Sequence, residues 1–345
     1  MTKRPAVFAI PGDIETLTGG YIYERRLLLG LRAAGHDVTH LELSAAFPEP
    51  GKADMADAVR HLSAIDPERV LILDGLVFGA IDGLETVRAP ILAMIHHPLA
   101  LETGLSDARR AHLFATEQRN LDYAGHVLVP SRHTAEILTT QYGVAAPNIT
   151  IAQPGTDCPS GDRAPTSPPL ILSVGLQHPR KGHDILLKAL TRLVDLPWQA
   201  VIVGRAHDQD YATALAEMIA DLNLTDRVTR TGVVPRASLD QYFRAATVFA
   251  LATRYEGYGI VFDEALRWGV PIVSCDTGAV RDTVPPGAGL LTPPDDPGAF
   301  SEALRRVLTD DIAREKMADA AQTAGTHLPS WVDTAAVASS VLESL

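Results

Sequence analysis

The stretch Arg254-Tyr-Glu-Gly-Tyr-Gly-Ile-Val-Phe-Asp-Glu264 sets two glutamates eight positions apart around a glycine-rich turn that opens a helix. Stepping 100° per residue, Val261, Phe262, Ala265, Leu266 and Trp268 share one apolar face. Asp263 and Arg267 step away from that face, four apart, which predicts a surface ion pair. Glu264 falls at the edge of the apolar face, so its carboxylate is expected to be partly desolvated and to need hydroxyl or amide donors, such as a ribose diol. The turn Gly257-Tyr258-Gly259, with Ile260 starting the helix, offers unpaired backbone amides to an anion.

Three other stretches carry comparable signals. Gly175-Leu-Gln-His-Pro-Arg-Lys-Gly182 sets Arg180 and Lys181 between glycines before a helix. At about 4 Å one lysine attracts one phosphate charge by about 4 kcal/mol at an effective dielectric of 20. The spacing is not that of a P-loop, and the default reading of a solvated basic pair loses ground because an acidic chain sets this pair beside glycines at a strand's carboxyl end. Pro11 to Gly20 ends in Gly19-Gly20 before a helix over Tyr21 to Ala34 that Gly35 closes; it is either a phosphate-approach loop or a tight turn. It is not a GxGxxG, and NAD is weakly supported. Ile95-His-His-Pro98 places His96 and His97 at a strand end, either as structural histidines or facing a cleft. No metal site is expected: His36 and His40 do not share a helical face, and Asp208-Gln-Asp210 reads as helix capping.

The elements that position these residues alternate strand and helix along nearly the whole chain. The predicted strands of the first half are Ala6 to Ile10, Asp37 to Leu43, Val70 to Asp74, Ile91 to His96, His126 to Pro130 and Asn148 to Gln153. Those of the second half are Leu170 to Val174, Ala200 to Gly204, Val228 to Gly232, Val248 to Ala252, Ile272 to Ser274 and Gly289 to Thr292. Several are continuous apolar runs, as strands covered by helices on both faces should be. The fold class expected is α/β: two facing Rossmann-like, doubly wound parallel-sheet domains, with ligands at the carboxyl ends of the strands. The first domain is expected over 1–158, a Pro/Ser/Gly-rich linker over 159–169, the second domain over 170–330, and over 331–345 a last helix that could cross back to the first domain.

The bulk properties narrow the function classes. At 345 residues the chain is long enough for about two domains. Its net charge of −12 disfavours a nucleic-acid partner or a general attraction to anionic lipid. Any phosphate-bearing ligand must then be held by local charge and backbone amides. Cys158 and Cys275 stand singly and read as free structural thiols. No apolar run is long enough to span a bilayer, and turn residues within Met1 to Asp13 interrupt any leader core, so a cytoplasmic location is expected. The stretch Asp107 to Tyr123 offers Arg109, Arg110 and Arg119, but Asp107, Glu117 and Asp122 cancel them, so membrane contact is expected to be weak or absent.

Taken together the chain resembles glycosyltransferase family 4, retaining nucleotide-sugar-dependent enzymes of the two-domain GT-B fold. The resemblance rests on Thr18-Gly19-Gly20 with Leu31 to Val38, on Ser173-Val-Gly175 with Arg180-Lys181-Gly182, and above all on Glu256 to Glu264 followed by Gly269 to Val273 and Gly278. It implies that Lys181 contacts the donor diphosphate, shared with Gly20 and the amides near Tyr258, Gly259 and Ile260. It further implies that Glu264 holds the ribose, Glu256 the transferred sugar, and that His96 sits by the reacting sugar. Many members carry an arginine where this chain has Leu176; either Arg180 supplies that charge or the phosphate site is weaker. The implied reaction moves a sugar from a nucleoside-diphosphate sugar, UDP being the commonest, to an acceptor hydroxyl with an α linkage and without a metal or other cofactor. The acceptor would be a small molecule, a glycan or a lipid. The rival readings are a nucleotide-sugar 2-epimerase and a non-catalytic sugar-nucleotide-binding subunit.

Overall fold

The computed structural model describes residues 3–345; Met1 and Thr2, part of the stretch read for a leader, lie outside them. The chain divides into two units, Met1–Gly155 with Pro329–Leu345, and Thr156–Leu328.

The N-terminal unit runs β1 (Ala6–Pro11), α1 (Gly19–Ala33), β2 (Val38–Leu43), α2 (Lys52–Ser63), β3 (Val70–Asp74), α3 (Gly75–Phe78), β4 (Ile91–Met94), α4 (Asp107–Leu121), β5 (Ala124–Val129), α5 (Arg132–Thr140) and β6 (Ile149–Ile151). Its sheet is parallel throughout, in the order β2-β1-β3-β4-β5-β6. β1, β3 and β4 are buried along their whole lengths, as continuous apolar strands sandwiched between helices must be. The chain reverses its winding between β1 and β3, and the loops leaving the carboxyl ends of neighbouring strands diverge there.

The C-terminal unit runs β7 (Leu170–Val174), α6 (His183–Leu190), β8 (Gln199–Val203), α7 (Gln209–Asp221), β9 (Val228–Gly232), α8 (Arg236–Ala245), β10 (Ala246–Leu251), α9 (Ile260–Arg267), β11 (Ile272–Cys275), α10 (Val280–Thr283), β12 (Gly289–Thr292), α11 (Pro297–Thr309) and α12 (Asp311–Thr326). Its parallel sheet has the order β12-β11-β10-β7-β8-β9, so counting from β7 the strands lie 6-5-4-1-2-3, the doubly wound dinucleotide-fold order. Its switch point lies between β7 and β10. One apolar layer, with Leu186, Leu190, Phe300 and Leu304, covers one face of the sheet; another, with Phe243, Phe262, Leu266 and Val280, covers the other.

The stretch read as a linker is seated on the C-terminal unit. Arg163 donates to the carbonyls of Gly269 (2.6 Å) and Ala246 (2.9 Å), and the amides of Ala164 and Thr166 donate to those of Arg244 and Ala245. The segment has little apolar surface, so hydrogen bonds hold it, and composition does not reveal those. The last helix, α13 (Trp331–Ser344), packs on α1 of the N-terminal unit. There Gly30 faces Ala335, Ser339 Oγ bonds His36 Nε2 at 2.7 Å, and Thr334 donates to the Gln153 carbonyl. The arginines of α4 are engaged within the unit: Arg109 with Glu49, Arg119 with Asp82, and Arg110 with the Ala100 carbonyl. No helix among the described residues is long and apolar enough to cross a membrane.

Candidate active site

In the C-terminal unit the loops leaving β7 and β10 meet at the switch point. Gly182 has φ +64°, and a Cβ on it would fall 1.8 Å from the Ala252 carbonyl oxygen, so only glycine lets the first loop lie against the second. The Arg254 amide donates to the Arg180 carbonyl at 2.8 Å, and Thr253 Oγ1 lies 3.0 Å from the same carbonyl. The Arg254 guanidinium grips both oxygens of Asp184, at 3.0 and 2.9 Å, tying the second loop to the start of α6. Burial works against the Asp184 carboxylate, but Arg254 and the Tyr211 hydroxyl outweigh it and hold its pKa below the ordinary value.

That stitching brings Lys181, Arg180 and Glu256 together. Lys181 Nζ donates to Glu256 Oε1 at 2.6 Å, Thr253 Oγ1 donates to the same oxygen at 2.9 Å, and Arg180 lies 3.6 Å from Oε2. Gly175 lies under the Lys181 stem, where an added Cβ would press on Cγ and Cδ at 3.3 Å. Glu256 is buried, which alone would raise its pKa; the Lys181 and Arg180 charges and the two hydrogen bonds reverse this and keep it ionised. Gly278 backs the turn: a Cβ there would meet the Glu256 carbonyl at 2.2 Å, and the Ala279 amide donates to that carbonyl.

Gly259, at φ +91°, is the N-cap of α9, which begins at Ile260 after Gly257 and Tyr258. Glu264 sits on this helix with little of its side chain exposed, paired with Arg236 at the start of α8. Burial raises its pKa and Arg236 offsets part of the rise. Asp263 is not a surface partner of Arg267. It is fully buried and accepts a hydrogen bond from the Tyr258 hydroxyl, while Arg267 donates to the Leu328 carbonyl. The helical wheel places Asp263 opposite the apolar face correctly, but Tyr258 folds back over that side and closes it from water. Burial raises the Asp263 carboxyl to about 7.

The N-terminal unit gathers a second cluster at its own switch point. Thr18 caps α1, accepting the Tyr21 amide at 3.4 Å, and Gly19 and Gly20 form its first residues. Gly20 lies against the His96 ring, 3.6 Å from where its Cβ would stand. His96, just past β4, has about a quarter of its side chain exposed (24%) and sets Nε2 3.3 Å from Glu24 Oε1 of α1. Asp74 at the end of β3 joins them, so that one polar atom of each of Glu24, Asp74 and His96 lies within 4.8 Å of the other two. His97 turns elsewhere and bonds Glu102 at 2.6 Å.

Sequence reasoning missed Thr253, Arg236, Glu24 and Asp74. Asp74 carried a signal, an acidic residue ending an apolar strand, but Glu24 sits inside a helix with nothing around it to mark it. Asp208, set aside as a metal ligand, caps α7 by accepting the Tyr211 amide at 2.9 Å. Cys158 is exposed, Cys275 buried, and both are free thiols.

These features define a class before any particular relative is considered: two doubly wound α/β units, of which the C-terminal one carries a basic and acidic array at its switch point. Residues 160–324, a little under half of the chain, match the family model of glycosyl transferases group 1. A D-inositol 3-phosphate glycosyltransferase of Xylanimonas cellulosilytica is 32% identical over 233 residues, 62% of this chain and 55% of that protein. One from Corynebacterium glutamicum is 29% identical over 261 residues, 70% of this chain and 61% of that one. The chain spans about half the length of the curated relatives it matches. Among solved structures, the sucrose-phosphate synthase of Thermosynechococcus elongatus is similar with a TM-score of 0.85 at 21% identity, over 99% of both chains. Anabaena Alr3699/HepE, solved with UDP and glucose, is similar with a TM-score of 0.79 at 18% identity, over 99% of this chain and 100% of that one. The fold is thus that of the GT-B glycosyltransferases.

Proposed function

We propose that the chain is a family 4 glycosyltransferase that moves a sugar from a nucleoside-diphosphate sugar to an acceptor hydroxyl, retaining the α configuration. The observation that carries this reading is the contact of Lys181 with Glu256 at 2.6 Å on the switch point of a doubly wound sheet. Here a cation suited to a diphosphate and a buried carboxylate suited to sugar hydroxyls stand side by side. Breaking the anomeric bond develops positive charge on the sugar and negative charge on the leaving phosphate. Lys181, Arg180 and the amides around Gly259 supply fixed positive charge and donors for the phosphate. Glu256 binds hydroxyls of the transferred sugar and Glu264 those of the ribose. On the resemblance, His96 serves the reacting sugar. The leaving phosphate oxygen takes the acceptor proton, so catalysis rests on positioning and electrostatics and calls for no metal ion.

UDP is the first nucleotide to test, since the similar Anabaena structure was solved with it. Inositol 3-phosphate is the first acceptor, named by the curated relatives. Thermal stabilisation by UDP, GDP or ADP identifies the base. Turnover of the matching sugar donor only in the presence of acceptor is expected. Epimerised donor formed without acceptor contradicts transfer, and binding of donor with no turnover under any acceptor points to a sugar-nucleotide-binding subunit.

A further inference from the structure

Beside His96 stand two buried carboxyls that have no part in the reaction as described. Glu24 and Asp74 are 1% and 2% exposed, come from α1 and the end of β3, and hydrogen-bond to each other. Two carboxylates buried side by side cannot both be ionised, so the pair holds a proton. Asp74 is the member that keeps it: burial and the neighbouring Glu24 charge push its pKa well up, whereas burial raises Glu24 to about 7, the hydrogen bond from Asp74 holding that rise back. Glu24 Oε1 stands 3.3 Å from His96 Nε2, and the Tyr23 ring meets the His96 ring edge-on with centroids 5.5 Å apart. Desolvation lowers the His96 pKa, so the ring is neutral. A neutral imidazole beside a carboxylate donates its N–H to it.

We propose that Glu24 and Asp74 form an acid pair that positions His96, fixing its ring with Nε2–H on Glu24 and leaving Nδ1 to accept a substrate hydroxyl. The chain of donation runs from the Asp74 carboxyl to Glu24 and from His96 Nε2 to Glu24, with the ring wedged by Gly20 and Tyr23. The proposal rests on the reading that assigns His96 to the reacting sugar. Its benefit there is electrostatic: a neutral ring backed by one shared negative charge does not oppose positive charge developing on a sugar, whereas an imidazolium would. The other ionisable groups near the pair are Tyr21 and Tyr23, with Asp13 beside Tyr21; burial and Glu24 raise the Tyr23 pKa, so it stays neutral. Burial, with the acidic groups around it, raises Tyr21 to about 12, so it stays neutral.

The test is long-range proton–nitrogen NMR of the full chain labelled at histidine nitrogens, at pH 8, with a His96→Asn spectrum identifying the His96 signals. The wild type is expected to show one neutral tautomer protonated at Nε2. Glu24→Leu should give a mixture of tautomers, and Glu24→Gln, whose amide oxygen still accepts, should restore the single one. In parallel, kcat should fall about 10- to 100-fold in Glu24→Leu with nucleotide affinity unchanged, the weight of one hydrogen bond to a charged group. A wild-type imidazolium, a wild-type Nδ1–H tautomer, the single Nε2–H tautomer persisting in a folded Glu24→Leu variant, or a mixture in a folded Glu24→Gln variant would overturn the proposal. The histidine readout needs no donor, so it stands or falls separately from the glycosyl-transfer reading.

Discussion

Glu256 is a buried carboxylate and Glu264, eight residues on, a part-buried one, and their surroundings differ. Glu256 is clamped by Lys181 and Thr253, so its charge is committed before any ligand arrives. Glu264 is paired with Arg236 of α8. Glu264→Ala should therefore weaken nucleoside-diphosphate binding about 10- to 100-fold, the loss of charged hydrogen bonds to a diol. Glu256→Ala should lower turnover and largely keep nucleotide affinity. Calorimetric titration of both variants checks this, and unchanged affinity for every nucleoside diphosphate in Glu264→Ala would remove the ribose assignment. Lys181→Met should cost about 3–5 kcal/mol of stability by leaving a buried carboxylate without its main partner. The double variant with Glu256→Gln should regain part of that in chemical denaturation. The two glutamates and Lys181 were legible from type and spacing. Thr253, Arg236, Glu24 and Asp74 were not, because each acquires its meaning from a neighbour far away in sequence.

At the scale of elements, the central strands β1, β3 and β4 were legible because a parallel strand covered on both faces must be a continuous apolar run, whereas the edge strands β2 and β9 are mixed in composition and show only in the alternation of strand and helix. Helix faces were legible only where nothing folds back over them, and Asp263 under Tyr258 shows the limit. Close approaches were not legible, since a glycine in a helix gives no sign of what it faces. Gly30 in α1 is the clearest instance: an added Cβ would stand 2.6 Å from the Ala335 Cβ of α13. Glycine to alanine inside a helix normally gains about 0.5–1 kcal/mol. Here Gly30→Ala is expected to lower Tm instead, by forcing α13 away from α1, and Ala335→Gly in the same chain should recover it. A rise in Tm for Gly30→Ala alone would show that the two helices are not held so closely.

For the whole molecule, the net charge of −12 hides a set of carboxyls that burial keeps partly protonated. Burial pushes Glu117, under the turn that follows His97, up to about 8 from an ordinary value of 4.5. A folded-state pKa above the unfolded one means that the folded chain binds the extra proton between those values, so the contribution is favourable below about pH 4.5 and lost as pH rises through 8. His183 acts in the opposite direction: burial lowers it to about 4, so its contribution is present above its ordinary 6.5 and lost as pH falls toward 4. Glu117→Gln should then remove much of the decline in stability between pH 5 and 8.5, read from denaturation midpoints at the two values. An unchanged slope would place the Glu117 proton elsewhere. The acidity seen in the sequence argued against diffuse attraction of phosphates, and the structure concentrates Lys181, Arg180 and the α9 amides where the fold changes winding. The claim that this array performs retaining transfer is tested most directly by proton NMR of the anomeric region during turnover. The donor is the glucose conjugate of the nucleotide that stabilises the chain most, with inositol 3-phosphate as acceptor. An α-anomeric product signal appearing first, and only with acceptor present, is the expected result; a β-anomeric product, or an epimerised donor formed without acceptor, would contradict it.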